Sequence, residues 1–191
     1  IAYMALKISM IDPEASFAVL PSDHVILKED AYRQKLREAF GFAEKNDALV
    51  TLGISPTRPD TGYGYVKYMA AESCPGIHKV EAFKEKPDVI TAQQYVDSGQ
   101  YLWNAGMFVW SVRSLLSSFD KNAPSIIEVL SQNLSALNTN QEQAYIDEVY
   151  PKTENISIDY AILERADNVY TIPSDIGWSD LGTWNSLHQY L

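Results

Sequence analysis

The run "DAYRQKLREAFGFAEKN" (Asp30–Asn46) decides the fold class, because of what stands on either side of it. Tyr32, Leu36, Ala39, Phe40 and Ala43 recur at i, i+4, i+7, i+8 and i+11, the period of a helix with one apolar face. Asp30 stands where an N-cap belongs and predicts the helix start. Before it, "FAVL" (17–20) reads as a short strand. After it, "ALVTLGI" (48–54) is a continuous apolar run of strand length. Strand, helix and strand in that order predict a βαβ unit, and so parallel strands covered by helices.

The pattern extends outward in both directions. "IAYMALKISM" (1–10) predicts a helix with Ile1, Ala5 and Ile8 on one face. "SPTRPDTGYGY" (55–65) is dense in Pro, Gly, Asp and Thr and reads as a loop. "YVKYM" (65–69) and "KVEAF" (79–83) alternate like strands and lie close enough to pair. "ITAQQYVDSG" (90–99) is a helix with Gly99 past its end. "WNAGMFVW" (103–110) is another apolar strand. "SVRSLLSSF", "PSIIEVLSQNL" and "QEQAYIDEVY" are helical, with Pro124 at a first helical position. "SIDYAILE" (157–164) predicts a short helix capped by Ser157, and "NVYTIP" (168–173) a strand. "DIGWSDLGTW" reads as a loop, and "TWNSLHQYL" (183–191) as the start of a final helix. No repeat, low-complexity run or linker interrupts the series. One α/β domain over residues 1–191 is the economical reading.

Composition narrows the function. The chain has 191 residues, 46% of them hydrophobic, enough for one well-buried core. No apolar window is long enough for a membrane helix, and the first residues lack the marks of a signal peptide. The first residue is Ile1 and not Met, so the chain is expected to begin inside a larger protein. A lone Cys74 excludes an internal disulfide framework and fits a reducing compartment, hence a cytoplasmic protein. The formal charge of −10 argues against a nucleic-acid partner. It leaves small phosphorylated ligands open, since a metal ion can bridge carboxylates to phosphates.

Five short segments could carry chemistry, each with a plainer alternative beside it. In "LPSDH" (20–24), Asp23 follows a strand at the sheet edge where α/β proteins bind ligands. Pro-Ser-Asp is also good turn chemistry, and alone it reads more readily as that. In "TGYGY" (61–65) two glycines bracket a tyrosine, which permits close approach of backbone to ligand or makes a tight turn. "FKEKPD" (83–88) offers Glu85 to a sugar hydroxyl and Lys86 to a phosphate. Adjacent side chains on a strand diverge, so a bend before Pro87 is required to aim both at one ligand. Otherwise they are an exposed charge pair. Asn104 of "WNAGMF" lies among apolar residues, where its amide must hold backbone or read a ligand. Asp180 of "GWSDLGTW" sits between Trp178 and Trp184. If it converges with Asp23, the two carboxylates are a natural seat for Mg²⁺ and its phosphates.

Taken in order, "LPSDH", "PTRPDTGYGYV", "FKEKPD", "YLWNAGMFVW", "SIDYAILE" and "GWSDLGTW" resemble the mannose-1-phosphate guanylyltransferases of the sugar-nucleotide pyrophosphorylase family, from about residue 17 to residue 184. The resemblance implies a Rossmann-like nucleotidyltransferase fold, glycosyltransferase-A-like, with a mixed sheet and helices on both faces. It implies GTP and mannose 1-phosphate as substrates, GDP-mannose and pyrophosphate as products, Mg²⁺ as cofactor, and a homodimer. Carried over by motif, Asp23 and Asp180 would hold the metal. Gly64 would bring its backbone against the sugar or its phosphate, Glu85 would accept from sugar hydroxyls, and Asn104 would read a hydroxyl. Lys86 would pair with the sugar phosphate. Asp159 is a further carboxylate behind these, and His24 is read as orienting its loop. The family's Gly-rich "GGxGxRLxPLS" loop, which cradles the triphosphate, has no counterpart here. The fold is therefore expected to be incomplete at its N-terminus, and the chain inactive alone. Two alternatives stand beside this reading: a sister pyrophosphorylase for another hexose 1-phosphate or nucleotide, and a non-catalytic sugar-nucleotide-binding regulator.

Overall fold

The computed structural model describes residues 1–182; the expected final helix and Trp184 lie outside the described residues. The N-terminal helix α1 spans Ala2–Ser9. Strand β1 (Ser16–Val19), the two-residue strand β2 (Val25–Ile26), helix α2 (Glu29–Ala43) and strand β3 (Leu49–Ile54) follow. Strands β4 (Tyr65–Cys74) and β5 (Ile77–Lys84) form the expected pair, an antiparallel hairpin longer than the sequence suggests. Helix α3 (Val89–Ser98) starts on Asp88, whose side chain accepts from the Thr91 N–H at 2.9 Å. It ends on Gly99 at φ 65°. Strand β6 (Tyr101–Ser111) then leads into helices α4 (Val112–Asn122), α5 (Pro124–Leu130) and α6 (Glu142–Val149). Strands β7 (Val169–Pro173) and β8 (Trp178–Ser179) complete the described chain.

The main sheet has the order β1-β6-β3-β7-β5-β4, and β4 also pairs with β6. This corrects the expectation of adjacent parallel strands. β1 and β3 do run the same way, but β6 lies between them and is antiparallel to both. Only β3 and β7 are parallel neighbours among the described residues. A βαβ pattern in sequence gives strand direction but not adjacency, and a third apolar strand fills the gap. The sheet is mixed, with helices on both faces as the resemblance implied.

Alternation along the central strands builds the two cores. Leu49, Phe108 and Trp110 face the layer containing α1, α4, α5 and α6. Val50, Leu52, Met107 and Val109 face α2, through Ala39 and Ala43. Trp110 is wholly buried and stacks on Phe108 with ring centroids 4.9 Å apart.

Three local readings are corrected. Helix α2 begins one residue before Asp30, and its cap position, Lys28, makes no side-chain cap bond; Asp30 instead meets Arg33 at 2.9 Å. Helix α1 buries Ala2, Ala5 and Leu6, while Ile1 is exposed, because its contacts come from α4 and α5 on the other side of the stripe. The short helix expected after Ser157 is present as a single π-type turn, Asp159–Leu163, with Ile158 and not Ser157 at its cap position, while the Tyr160 N–H donates to the Ser157 hydroxyl at 3.5 Å.

Candidate active site

Strands β2 and β8 were not legible as a pair, yet their ladder assembles the site. Val25 pairs with Ser179 and Ile26 with Trp178. Antiparallel register therefore sets the "SDH" turn across from Asp180. Gly177, at φ 63°, makes this possible: a Cβ there would lie 2.8 Å from Leu27 Cβ. The Trp178 indole N–H donates to His24 Nδ1 at 2.9 Å, so Nδ1 carries no proton and the ring is fixed as a clasp between the two loops.

A cleft of about 240 Å³ opens beside this ladder. Of the residues expected at the site, Gly64, Glu85, Asn104, Asp159 and Asp180 line it, together with His24. Asp23 and Lys86 are not among its lining. Asp23 is exposed next to His24, and Lys86 stands at the rim.

Asn104 is aimed by a bulge in β6. Five residues of β6, from Asn104 to Phe108, cover only three of β3, from Gly53 to Thr51. The Thr51 hydroxyl donates to Asn104 Oδ1 at 2.7 Å, and the Gly106 N–H donates to the same oxygen at 3.3 Å. The amide nitrogen is thereby turned to Asp159 Oδ1 at 3.2 Å. With its oxygen occupied twice, Asn104 offers the cleft donor capacity. Its two sequence alternatives are thus not exclusive: the side chain holds backbone and still faces the cleft.

Glu85 and Lys86 make the bend that the sequence demanded. Lys86 adopts φ 45°, and its N–H donates to the Tyr63 carbonyl at 3.2 Å. Its ammonium then reaches Glu85 Oε1 at 3.0 Å. The Glu85 N–H donates to Glu164 Oε1 at 3.0 Å. Gly64 leaves the space that Glu85 uses: a Cβ there would lie 2.5 Å from Glu85 Oε2 and 3.1 Å from Phe83 Cζ. Its carbonyl accepts from the Asn104 N–H at 2.8 Å, which ties the glycine loop to the bulge.

The electrostatics are those of a site short of cations. Burial, and then the charge of Asp159, push the Glu85 carboxyl above its ordinary range. Burial pushes the Asp159 carboxyl up as well. Burial and the hydrogen bond to Asp180 hold the Tyr63 phenol well above its ordinary value, so Tyr63 remains a donor. Its hydroxyl donates to Asp180 Oδ1 at 2.8 Å, and the Gly182 N–H donates to the same oxygen at 3.1 Å. Asp180 Oδ2 has no hydrogen-bond partner among the described residues. Tyr63 and Thr51 are participants the sequence reading passed over. The bracketing glycines marked Tyr63, whereas nothing local marks a buried strand threonine.

Among the described residues no group of three or more carboxylate, histidine or cysteine side chains gathers closely enough to hold a metal ion by itself. Glu85, Asp159 and Asp180 line the cleft, while Lys86 and Arg58 are already engaged by Glu85 and Asp60. An anionic ligand needs positive charge added here. Asp180 Oδ2 and the exposed Asp23 carboxylate, both without a partner among the described residues, are oxygens of the type a hard divalent cation takes, and phosphates and waters would have to supply its other ligands.

Comparison with known proteins adds an independent line. The family model for nucleotidyl transferases matches residues 2–191. The chain is 39% identical over 193 residues to the mannose-1-phosphate guanylyltransferase of Escherichia coli (strain K12), covering 98% of this chain and 40% of that protein. It is 38% identical over 188 residues to the xanthan biosynthesis protein XanB of Xanthomonas campestris pv. campestris (strain B100), covering 98% of this chain and 39% of that protein. Among solved structures, mannose-1-phosphate geranyltransferase from Thermus thermophilus aligns with a TM-score of 0.84 at 30% identity, over 98% of this chain and 52% of that one. Mannose-6-phosphate isomerase from Helicobacter pylori aligns with a TM-score of 0.77 at 28% identity, over 92% of this chain and 68% of that one. The chain thus spans about two fifths of the length of the curated relatives it matches.

Proposed function

We propose, from the premise that this chain belongs to the nucleotidyl transferase family, that its complete gene product transfers GMP from GTP to mannose 1-phosphate, giving GDP-mannose and pyrophosphate. The observation that carries this reading is the meeting of Gly64, Glu85, Asn104, Asp159 and Asp180 in one cleft, from separate strands and loops. Two carboxylates and an amide N–H are what a sugar's hydroxyls require: acceptors for their protons and a donor for an oxygen.

A phosphate oxygen of the sugar phosphate attacks the α-phosphorus of the nucleotide. A new O–P bond forms, the bond from that phosphorus to the bridging oxygen breaks, and pyrophosphate leaves with the electron pair. The attacking oxygen is anionic at neutral pH, so no general base is needed. Catalysis then rests on alignment and on charge. Glu85, Asn104 and the Gly64 backbone orient the sugar, and Lys86 pairs with its phosphate from the rim. Asp23 and Asp180 would hold the Mg²⁺, which would neutralise phosphate charge. The lone Cys74 fits a cytoplasmic enzyme.

The test is pyrophosphate release by the complete gene product with Mg²⁺, GTP and mannose 1-phosphate, against ATP and glucose 1-phosphate. Release confined to GTP with mannose 1-phosphate is expected. Release with another pair corrects the substrate, and no release from a folded protein overturns the reading.

A further inference from the structure

Tyr63 is more than one side of a glycine-bracketed turn. Its ring is held edge-on between Trp103, at 4.9 Å, and Trp178, at 5.3 Å. Its hydroxyl donates to Asp180 Oδ1 at 2.8 Å and accepts from Arg58 Nη2 at 3.3 Å. Arg58 is fixed in turn. It pairs with Asp60 at 2.8 Å and lies over the Trp103 ring, 5.1 Å from its centroid. Asp60 Oδ1 accepts from the Gly62 N–H at 2.9 Å, and its carbonyl accepts from the Tyr65 hydroxyl at 2.9 Å. The 55–64 loop is therefore a braced arm, and among the described residues its polar contact with the 177–182 loop falls on Asp180.

A carboxylate on a loop can rotate about χ1 and χ2, and among the described residues this one is anchored through Oδ1 alone. Tyr63 and the Gly182 N–H both occupy Oδ1. We propose that Tyr63 is a positioning residue that turns Asp180 so that Oδ1 faces the protein and Oδ2 faces a divalent cation, and so sets cation affinity at the site. The proposal rests on the reading of Asp180 as a cation ligand. Hydrogen-bonded partners of this kind are worth roughly 10–100-fold in metal affinity.

The test uses the complete gene product and the probe Mn²⁺, titrated in the presence of GDP-mannose and read as free Mn²⁺ by electron paramagnetic resonance. Tyr63→Phe keeps the ring between the two tryptophans and removes only the hydroxyl. Its Mn²⁺ Kd is expected to rise about tenfold or more. The Mg²⁺ concentration for half-maximal turnover should rise in parallel, while KM for mannose 1-phosphate at saturating Mg²⁺ stays within about twofold. Unchanged Mn²⁺ binding by Tyr63→Phe, with Asp180→Asn unable to bind Mn²⁺, overturns the positioning role alone. Normal Mn²⁺ binding by Asp180→Asn overturns the ligand reading and this proposal with it. Should Tyr63→Phe not fold, Arg58→Met serves in its place: losing the donor to the Tyr63 hydroxyl should raise the Kd about threefold, and no rise overturns the proposal.

Discussion

Two carboxylate clusters join distant parts of this chain, and they are built in opposite ways. At the junction of α1 and α6, Glu142 receives the Tyr3 hydroxyl, the Lys7 ammonium at 2.5 Å and the Asn138 N–H at 2.6 Å. With Lys7 contributing most, these donors hold its carboxyl down to about 2. In the cleft, Glu85 is buried and Asp159 half-buried, and both carboxyls are pushed up. The first cluster is satisfied and fastens two helices. The second is left under-neutralised by the protein itself, a condition that a ligand or cation relieves. Satisfied charge holds the fold; unsatisfied charge marks the site.

Changing one residue at a time can break or sharpen this contrast. The largest effect should come from Gly64→Ala. The new methyl group would lie 2.5 Å from Glu85 Oε2 and push the carboxylate aside, and a misplacement near 1 Å costs about 10²-fold in kcat/KM. Steady-state kinetics of the complete gene product on mannose 1-phosphate, the proposed acceptor, measures it, and wild-type kinetics would remove Glu85 from the proposed sugar site. Lys86→Ala comes next. It should raise KM for the sugar phosphate about tenfold, the worth of one charge-assisted contact.

Glu85→Gln should lower turnover yet raise the melting temperature at neutral pH, since burial, and then the charge of Asp159, disfavour the ionised carboxylate. A fall in melting temperature would show that Glu85 is satisfied after all. The smallest effect should be that of Glu142→Gln: a slightly lower melting temperature with unchanged turnover.

The pH dependence separates the clusters by sign. The folded state binds the Glu142 proton less tightly than the unfolded chain does. Its stabilisation is complete above the ordinary value of 4.5 and is lost as pH falls toward 2. Glu85 and Asp159 bind their protons more tightly when folded. Their contribution favours the fold at low pH and is lost as pH rises from the ordinary carboxyl range through their raised values. Melting curves from pH 2 to 7 should therefore lose acid sensitivity in Glu142→Gln and gain stability toward neutral pH in Glu85→Gln. Parallel curves for the two variants would abolish the contrast.

Much of this was legible in the sequence because it is local. The 3.6-residue stripe of Tyr32, Leu36, Ala39, Phe40 and Ala43 gave α2, and the apolar run 48–54 gave β3. Gly99 ended α3 as expected, because only the left-handed conformation closes the helix there. The segments holding Gly64, Glu85, Asn104 and Asp180 could be picked out because polar residues in apolar surroundings, flanked by Gly or Pro, are locally costly unless used.

Tertiary structure alone decided the rest. Periodicity gives the direction of β1 and β3 but not that β6, some ninety residues beyond β1, inserts between them. Two residues, Trp178 and Ser179, are too few to show a strand pattern, and β8 exists because β2 is there to pair with it. Thr51 is an ordinary strand residue until the bulge of β6 brings Asn104 onto its hydroxyl. The protonation tendencies of Glu85 and Glu142 are likewise invisible in sequence, for both are glutamates in polar segments. What separates them is which groups, many residues away along the chain, reach them in space and exclude water. Local patterns fix conformation, because backbone geometry repeats over a few residues. Charge balance and strand order are set by non-local packing, and the candidate site is made where those two meet.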